Sequence, residues 1–454
     1  VGARLVYPYV PDGYLNHSKS FTVQHMGIVF EESSFNSEPF IRPMNYRNGD
    51  DPMLSELGSS EPFAISGVTA ACMLVRRSVL DEVGGFDEEY VYGYEDCDLD
   101  LAIFRKGYVN YVCPHALLFH YEFGTQSSNT REEIVKRRTN NICHFRDKWQ
   151  GYLSDKIWQD KLEGTSLFIG GKRALTVAVV VTDDDPDTSA GDYFTGMELC
   201  TALSKAGCRT KFLALRKDNC YDVGPDTDVL ISLLEKYDIT KIKNASSRLI
   251  TIAWARNWFD RWCSLPYIKQ FSYIFASSPT ACSFMKDLLD RDVELFPIAT
   301  NANRFNNENT ERDKNSPYFS DYVFTGSYWG APREIIDILC PDELPYSFKI
   351  YGANWDKIPK FKNNYEGFVT YSTMPEIYRN TRIVVDDANH VTKPYGAVNS
   401  RVFDALAAGR LVVTNGVIGA DETFEGLLPS FETKEEFNAL IKKYLADDQA
   451  YSSK

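Results

Sequence analysis

Seven carboxylates fall within the fourteen residues from Asp87 to Asp100, and Glu95, Asp96 and Asp98 among them open a predicted helix. Backbone N–H groups make a helix start electropositive, so a solvated helix terminus is by itself enough to account for them. The loop before them, YVYGY, is aromatic and contains a glycine, and the far face of the helix is apolar. A carboxylate held at a helix start beside a loop that can admit a ligand is well placed as a general base. A second site of interest is SAGDY (189–193), between a strand and a helix, where small residues let the backbone approach a ligand. Asp192 there either faces a cleft as a base or caps the helix. In TGSYWGAPRE (325–334), Gly326 and Ser327 turn the chain and Arg333 opens the next helix. Helix N–H groups with an arginine suit a diphosphate, though an ordinary strand–helix turn has the same look. The segment YGAVNSRVFDALAAG, from Tyr395, sets Asn399, Ser400 and Arg401 at a helix start with Asp404 one turn on. A buried helix alone is the plainer account, but an Arg and an Asp one turn apart at its start are unusual for core packing.

These residues need elements to hold them. Up to residue 125 the chain alternates short strands (LVYPYV, TVQHMGIVF, YVCPHALLFHY) with loops, and GVTAACMLVRR is an apolar segment among them. SVLDEVGGF reads as a short helix closed at Gly84 and Gly85, and YEDCDLDLAIFRKGY as a helix with Leu99, Ile103 and Phe104 on one face and a stop at Gly107. Residues 130–165 are helical, mixed in charge, and read as a linker. ALTVAVVVT is a continuous β-branched run, the mark of a strand buried on both faces of a parallel sheet. From it onward strands and helices alternate to about residue 305, and again from 318 to the end, across the polar stretch NANRFNNENTERDKNSP.

Composition narrows the function classes. The 454 residues carry 49 Lys and Arg against 63 Asp and Glu, a net charge of −14, which argues against a nucleic-acid partner. Aromatic residues make up 14% of the chain, enough to provide flat surfaces for stacking on bases or sugars as well as for packing. No apolar run approaches the ~18–20 residues that span a bilayer. The ten cysteines are scattered without a CxxC or Cys/His cluster, as expected of reduced thiols in a cytoplasmic protein. The opening residues have no signal-peptide layout and read as the middle of a domain.

The run GVTAACMLVRRSVLDEVGGFDEEY, then YEDCDLDLAIFRKGY and CPHALLFHYEFGT, resembles the acceptor half of inverting GT-A glycosyltransferases of the family 2 type. The resemblance covers roughly residues 1–150. It implies that Asp96 deprotonates the acceptor hydroxyl and that Glu95 shapes the acceptor site. It also implies that His120 contacts the diphosphate or its metal, with an ordinary packed histidine as the alternative. The Asp-x-Asp half of such a domain would precede residue 1, and a divalent ion (Mg or Mn) belongs to that module only. The aspartates at 183–187 follow a different strand and are not that motif.

The segment NSRVFDALAAG resembles the donor-binding helix of GT-B glycosyltransferases of the family 4 or CgeB-like type, and FTGSYW, KIYGANW, GFVTYSTMPEIY and RIVVDD fit the same half in order. That resemblance implies Asn399, Ser400 and Arg401 at the diphosphate. It also puts Asp404 where a ribose-binding Glu usually stands.

The expected fold class is therefore α/β: a truncated GT-A-like domain (1–129), a helical linker (130–165), and a GT-B fold of two Rossmann-like halves (166–305 and 318–454). Together the resemblances imply a bacterial enzyme that moves a sugar from a UDP-, dTDP- or GDP-linked donor to a glycan or lipid-linked oligosaccharide in surface polysaccharide assembly. It would work in the cytoplasm, and a lipid-linked acceptor would bring it to the inner face of the membrane. The alternative confines activity to a complete GT-A module and leaves the GT-B part as a glycan-binding or scaffold module. The aromatic cluster WARNWFDRWCSLPY (254–267) reads as core with cation–π pairs, or as a stacking surface for a sugar.

Overall fold

The apolar strand Gly2–Val6 (β1) is almost wholly buried because it runs inside a mixed sheet. The computed structural model describes residues 1–9, 17–36, 38–51, 61–91, 93–121, 131–171, 174–246, 248–308, 311–447 and 451. Tyr92 of the YVYGY loop, the residues after Tyr121 in HYEFGT, Thr130 at the start of the expected linker, and residues 309–310 of the polar stretch lie outside them. The chain divides into two units, Val1–Leu175 and Thr176–Lys454.

In the first unit β1 pairs with Val23–His25 (β2) and with Asn110–Phe119 (β6), which pairs in turn with Phe63–Ile65 (β5). β1 and β6 are parallel; the outer pairings are antiparallel. Ile28–Phe35 (β3) and Glu38–Asn45 (β4) form a separate hairpin. TVQHMGIVF, expected as one strand, is thus two. Gly27 breaks it at φ +108, and a Cβ there would lie 2.3 Å from Ile65 Cδ1. Arg77–Val83 (α1) ends on Gly84 in the left-handed conformation, whose N–H bonds to the Leu80 carbonyl. Glu95–Arg105 (α2) follows, and then Arg131–Glu163 (α3). α3, read from sequence as a linker, sends Phe145, Trp149, Leu153 and Ile157 into one core with β3, β4, α2 and Phe168.

The second unit holds two parallel sheets. The first is built from Thr176–Val181 (β7), Arg209–Ala214 (β8), Val229–Ser232 (β9), Ile250–Ala255 (β10), Tyr273–Ala276 (β11) and Glu294–Leu295 (β12), in the order β12-β11-β10-β9-β7-β8. Gly191–Lys205 (α4), Phe259–Cys263 (α5) and Pro279–Leu289 (α6) connect them. The β-branched run of β7 is buried throughout. Val177, Val179 and Val181 pack with α4, while Ala178 and Val180 face Leu230 and Tyr237 on the other side. The second sheet joins Tyr322–Thr325 (β13), Phe348–Tyr351 (β14), Ile383–Asp386 (β15) and Leu411–Thr414 (β16), in the order β14-β13-β15-β16. Its helices are Glu334–Ile338 (α7), Met374–Arg379 (α8), Ser400–Ala407 (α9), Val417–Phe424 (α10) and Lys434–Ala446 (α11). Phe305 is already part of this second sheet's core. From β13 the chain goes to β14 on one side and later to β15 on the other, so a crevice opens at their carboxyl ends.

Within the aromatic cluster, Phe259 and Trp262 are core residues, and the Arg261 guanidinium lies over the Trp258 ring at 3.3 Å. No helix among the described residues is long and apolar enough to cross a membrane.

Candidate functional site

A cavity of about 610 Å³ lies in the second unit between the carboxyl ends of its two sheets. Phe194 and Glu198 on α4, Trp254 and the 296–302 segment line one wall; Gly326, Ser327, Arg333, Tyr371, Ser400, Arg401 and Asp404 line the other.

The second wall is built around Arg401. Its Nε donates to the Thr325 carbonyl at 2.6 Å and its Nη1 to Asp386 Oδ1 at 2.7 Å, so one side chain ties the end of β13 to the end of β15. Gly326 makes this possible: its φ is +148, and a Cβ there would sit 2.8 Å from Arg401 Nη2. The indole of Trp355 donates to the Gly326 carbonyl at 2.6 Å, and Ser327 Oγ accepts from the Ala353 amide at 3.0 Å, which fixes the turn against the end of β14. Asn399, the residue before α9, donates to Asp386 Oδ1 and to the Asp387 carbonyl instead of facing the cavity.

Arg333 is the second cation. It precedes α7, which is only five residues long and offers little as a phosphate-binding helix start. Arg333 Nη1 lies 3.4 Å from Asp387 Oδ2. Both atoms are buried and neither makes a hydrogen bond. The Phe324 ring lies under both guanidinium groups, with centroids 4.6 Å from Arg401 and 5.7 Å from Arg333. Burial raises the Asp387 carboxyl to about 6, against the pull of Arg333.

The two walls meet at residues 300–304. Asn301 and Arg304 donate to Glu198 on α4 at 2.5 and 2.7 Å, while Thr300 donates to Asp404 Oδ1 on α9 at 2.6 Å. Burial lifts Asp404 to about 7; the Thr300 bond opposes this and nearby Glu198 adds to it. Phe194 and Tyr371 stack across the cavity with ring centroids 4.7 Å apart.

Asp192, expected at the cleft, is not in the cavity lining. Its carboxylate accepts the Thr182 amide at 2.5 Å, so it ties the first turn of α4 to the end of β7. Nearby Asp183 and Asp184 pair with Arg216 and Lys217.

In the first unit, Asp96 accepts the Ala70 amide at 3.2 Å and its own helix's Cys97 amide at 2.9 Å. Glu95 Oε2 is buried without a hydrogen-bond partner. His120 Nδ1 lies 2.9 Å from Gln24 Oε1, and buried His25, in the segment VQHMGIVF that fits the same GT-A resemblance, feels the charges of both Asp96 and His120. Burial holds the His25 imidazole below its usual pKa. Among the described residues no group of three or more His, Cys, Asp or Glu could hold a metal ion.

Residues 333–453 match the family model described as "Glycosyl transferase-like". The chain carries a glycosyltransferase family domain. Over 160 residues, 35% of this chain and 10% of the relative, it is 28% identical to "O-antigen biosynthesis protein RfbC" of Myxococcus xanthus. Over 88 residues, 19% of this chain and 29% of the relative, it is 26% identical to an "N-acetylglucosaminyl-diphospho-decaprenol L-rhamnosyltransferase" of Mycobacterium tuberculosis. The chain thus matches well under two thirds of the length of these curated relatives. Among solved structures, AviGT4, a glycosyltransferase involved in avilamycin A biosynthesis, superposes on 62% of this chain and 92% of its own with a TM-score of 0.42 and 13% identity.

Arg333, Asn399, Ser400, Arg401 and Asp404 lie inside the glycosyltransferase family domain, and Gly326 and Ser327 just before it. Motif reading passed over Asp386, Asp387, Glu198 and Arg304. For the two aspartates a signal was present: in RIVVDD, two carboxylates follow directly on an apolar strand, where the crevice of a parallel sheet opens. Glu198 and Arg304 had none, since they meet only when the two walls are brought together.

Proposed function

We propose that the second unit is a GT-B type module that binds a nucleotide diphosphate sugar in this cavity and transfers the sugar to a glycan hydroxyl during surface polysaccharide assembly. The observation that carries the reading is the pair Arg333 and Arg401, which line the cavity beside the start of α9 at the carboxyl ends of parallel strands. Such cations offset the charge that builds on a departing diphosphate, and fixed in place they cost little reorganisation as the bond breaks. Ser400 and the first amides of α9 add donors to the same point. Asp404 reaches the ribose hydroxyls, with Gly326 and Ser327 letting the backbone come close. The acceptor, a glycan or a lipid-linked oligosaccharide, enters from the α4 wall. The printed names of the two relatives, one for O-antigen biosynthesis and one for rhamnosyl transfer to a lipid-linked sugar, support that acceptor class.

The test is titration of the chain with UDP-, dTDP- and GDP-sugars, with and without EDTA. Binding that survives EDTA and falls by about tenfold or more in Arg401→Lys supports the reading, since a lost charge-assisted hydrogen bond is worth roughly 1.5–3 kcal/mol. No binding of any donor sinks it.

A second reading concerns the first unit. Asp96, the acceptor base by the GT-A resemblance, stands in the first turn of α2, and its charge and that of His120 both act on buried His25. Asp96→Asn should then abolish a transfer activity that Arg401→Lys leaves intact.

A further inference from the structure

Arg333 and Asp387 form an unfinished ion pair. Their facing atoms are 3.4 Å apart, both buried, and neither Arg333 Nη1 nor Asp387 Oδ2 makes a hydrogen bond. The neighbouring pair differs in kind: Arg401 meets Asp386 at 2.7 Å and donates to Thr325 as well, while Asp386 also accepts from Asn399 and Thr414. Asp387 keeps only a 3.4 Å contact from Asn415 Nδ2. One cavity arginine is therefore bonded in place; the other is held by charge and by the rings of Phe324 and Trp355, without a hydrogen bond to Asp387. A buried guanidinium without hydrogen bonds is poorly compensated and gains most from an incoming anion.

Resting on the donor-site reading above, we propose that Arg333 exchanges Asp387 for the diphosphate of the donor, and that Asp387 then takes up one proton from solvent. The side chain of Asp387 has no solvent exposure, so without its cation the ionised form is strongly disfavoured. The groups facing it are Asp386 at the end of β15, Arg333 and Glu334 at the start of α7, Arg401 on α9 and Asn415 after β16, with Lys393 bonded to Glu334. Arg401 is committed to Asp386, and Lys393 to Glu334, so neither replaces Arg333. The remaining acidic neighbours push in the same direction as burial. With Arg333 in place the carboxyl titrates at about 6, and withdrawal of the cation moves it upward. Asp387 is thus a positioning residue: it holds Arg333 at the cavity and becomes neutral on releasing it.

The linkage has a definite sign. Proton uptake on binding means that affinity falls as pH rises, by up to about tenfold per unit, between the pKa of the free site and the higher one of the complex.

Calorimetric titration with UDP-glucose, dTDP-glucose and GDP-mannose tests this, because their diphosphates have no group titrating between pH 5 and 8. Run at pH 7 in buffers of different ionisation enthalpy, the wild-type chain should take up close to one proton more per donor bound than Asp387→Asn does; Asp404, the other cavity carboxyl that titrates near this pH, is common to both and cancels in the difference. Arg333→Gln should match Asp387→Asn, because its Asp387 is already protonated. Equal uptake in the wild-type chain and Asp387→Asn overturns the exchange while leaving the donor site standing. Failure of all three donors to bind overturns both.

Discussion

Arg401 and Asp386 pair at 2.7 Å across the gap between β15 and α9, with side chains only 14% and 2% exposed. Removing one partner leaves the other as an uncompensated buried charge, which costs about 3–5 kcal/mol. Arg401→Ala should therefore lower the stability of the second unit markedly, and Arg401→Ala with Asp386→Ala should recover part of the loss. Urea unfolding of the single and double variants measures this; a double variant no better than the single would show that the pair is not coupled.

Gly326 carries a narrower constraint. With φ at +148 and Arg401 Nη2 where its Cβ would go, Gly326→Ala should cost about 1–3 kcal/mol and displace the guanidinium. Donor affinity should drop with it, whereas Gly330→Ala, which meets nothing within 4 Å, should lose only the smaller cost of its own positive φ.

Stability should respond to pH through Asp404. Its folded pKa, about 7, lies above the 3.8 of an ordinary aspartate, so the folded chain holds a proton that the unfolded chain has released. Stability is then greatest near pH 4 and declines as pH rises to about 7, a loss on the order of a few kcal/mol. Asp404→Asn keeps an acceptor for Thr300 and should flatten the decline, leaving the variant more stable than the parent at pH 8. Thermal unfolding from pH 4 to 8 decides it; parallel curves for the two would refute the assignment.

Asp98 illustrates a carboxylate that holds the fold. It accepts Trp149 Nε1 at 2.6 Å and Tyr90 Oη at 3.2 Å, and it pairs with Lys148. Asp98→Ala should destabilise the first unit by about 3 kcal/mol or more while donor titration of the second unit is unchanged.

Periodicity and β-branched runs carried most of the second unit. β7 could be read from ALTVAVVVT because a strand covered on both faces has no polar side to alternate with. The break at Gly27 was not readable, since it depends on Ile65, thirty-eight residues away, filling the space of a missing Cβ. At the site, Arg401 and Asp404 were legible because they share one helix. The roles of Asp386 and Asp387 were not, because a carboxylate's partner is set by which strands become neighbours. Asp192 stayed open between a base and a helix cap for a related reason: a carboxylate near a helix start suits either, and in the first turn of α4 it accepts the Thr182 amide.

The alternation of Asp386 with Arg401 and Asp387 with Arg333 also bears on kinetics. Each of these two arginines is cancelled by an anion within a few ångströms, and the chain as a whole carries −14. A doubly negative donor therefore feels no long-range attraction on its approach. Its association rate should rest on ordinary diffusion and rise slightly with added salt, as screening weakens the overall repulsion. The arginines are felt only at contact, so discrimination among donors falls to how long each one stays.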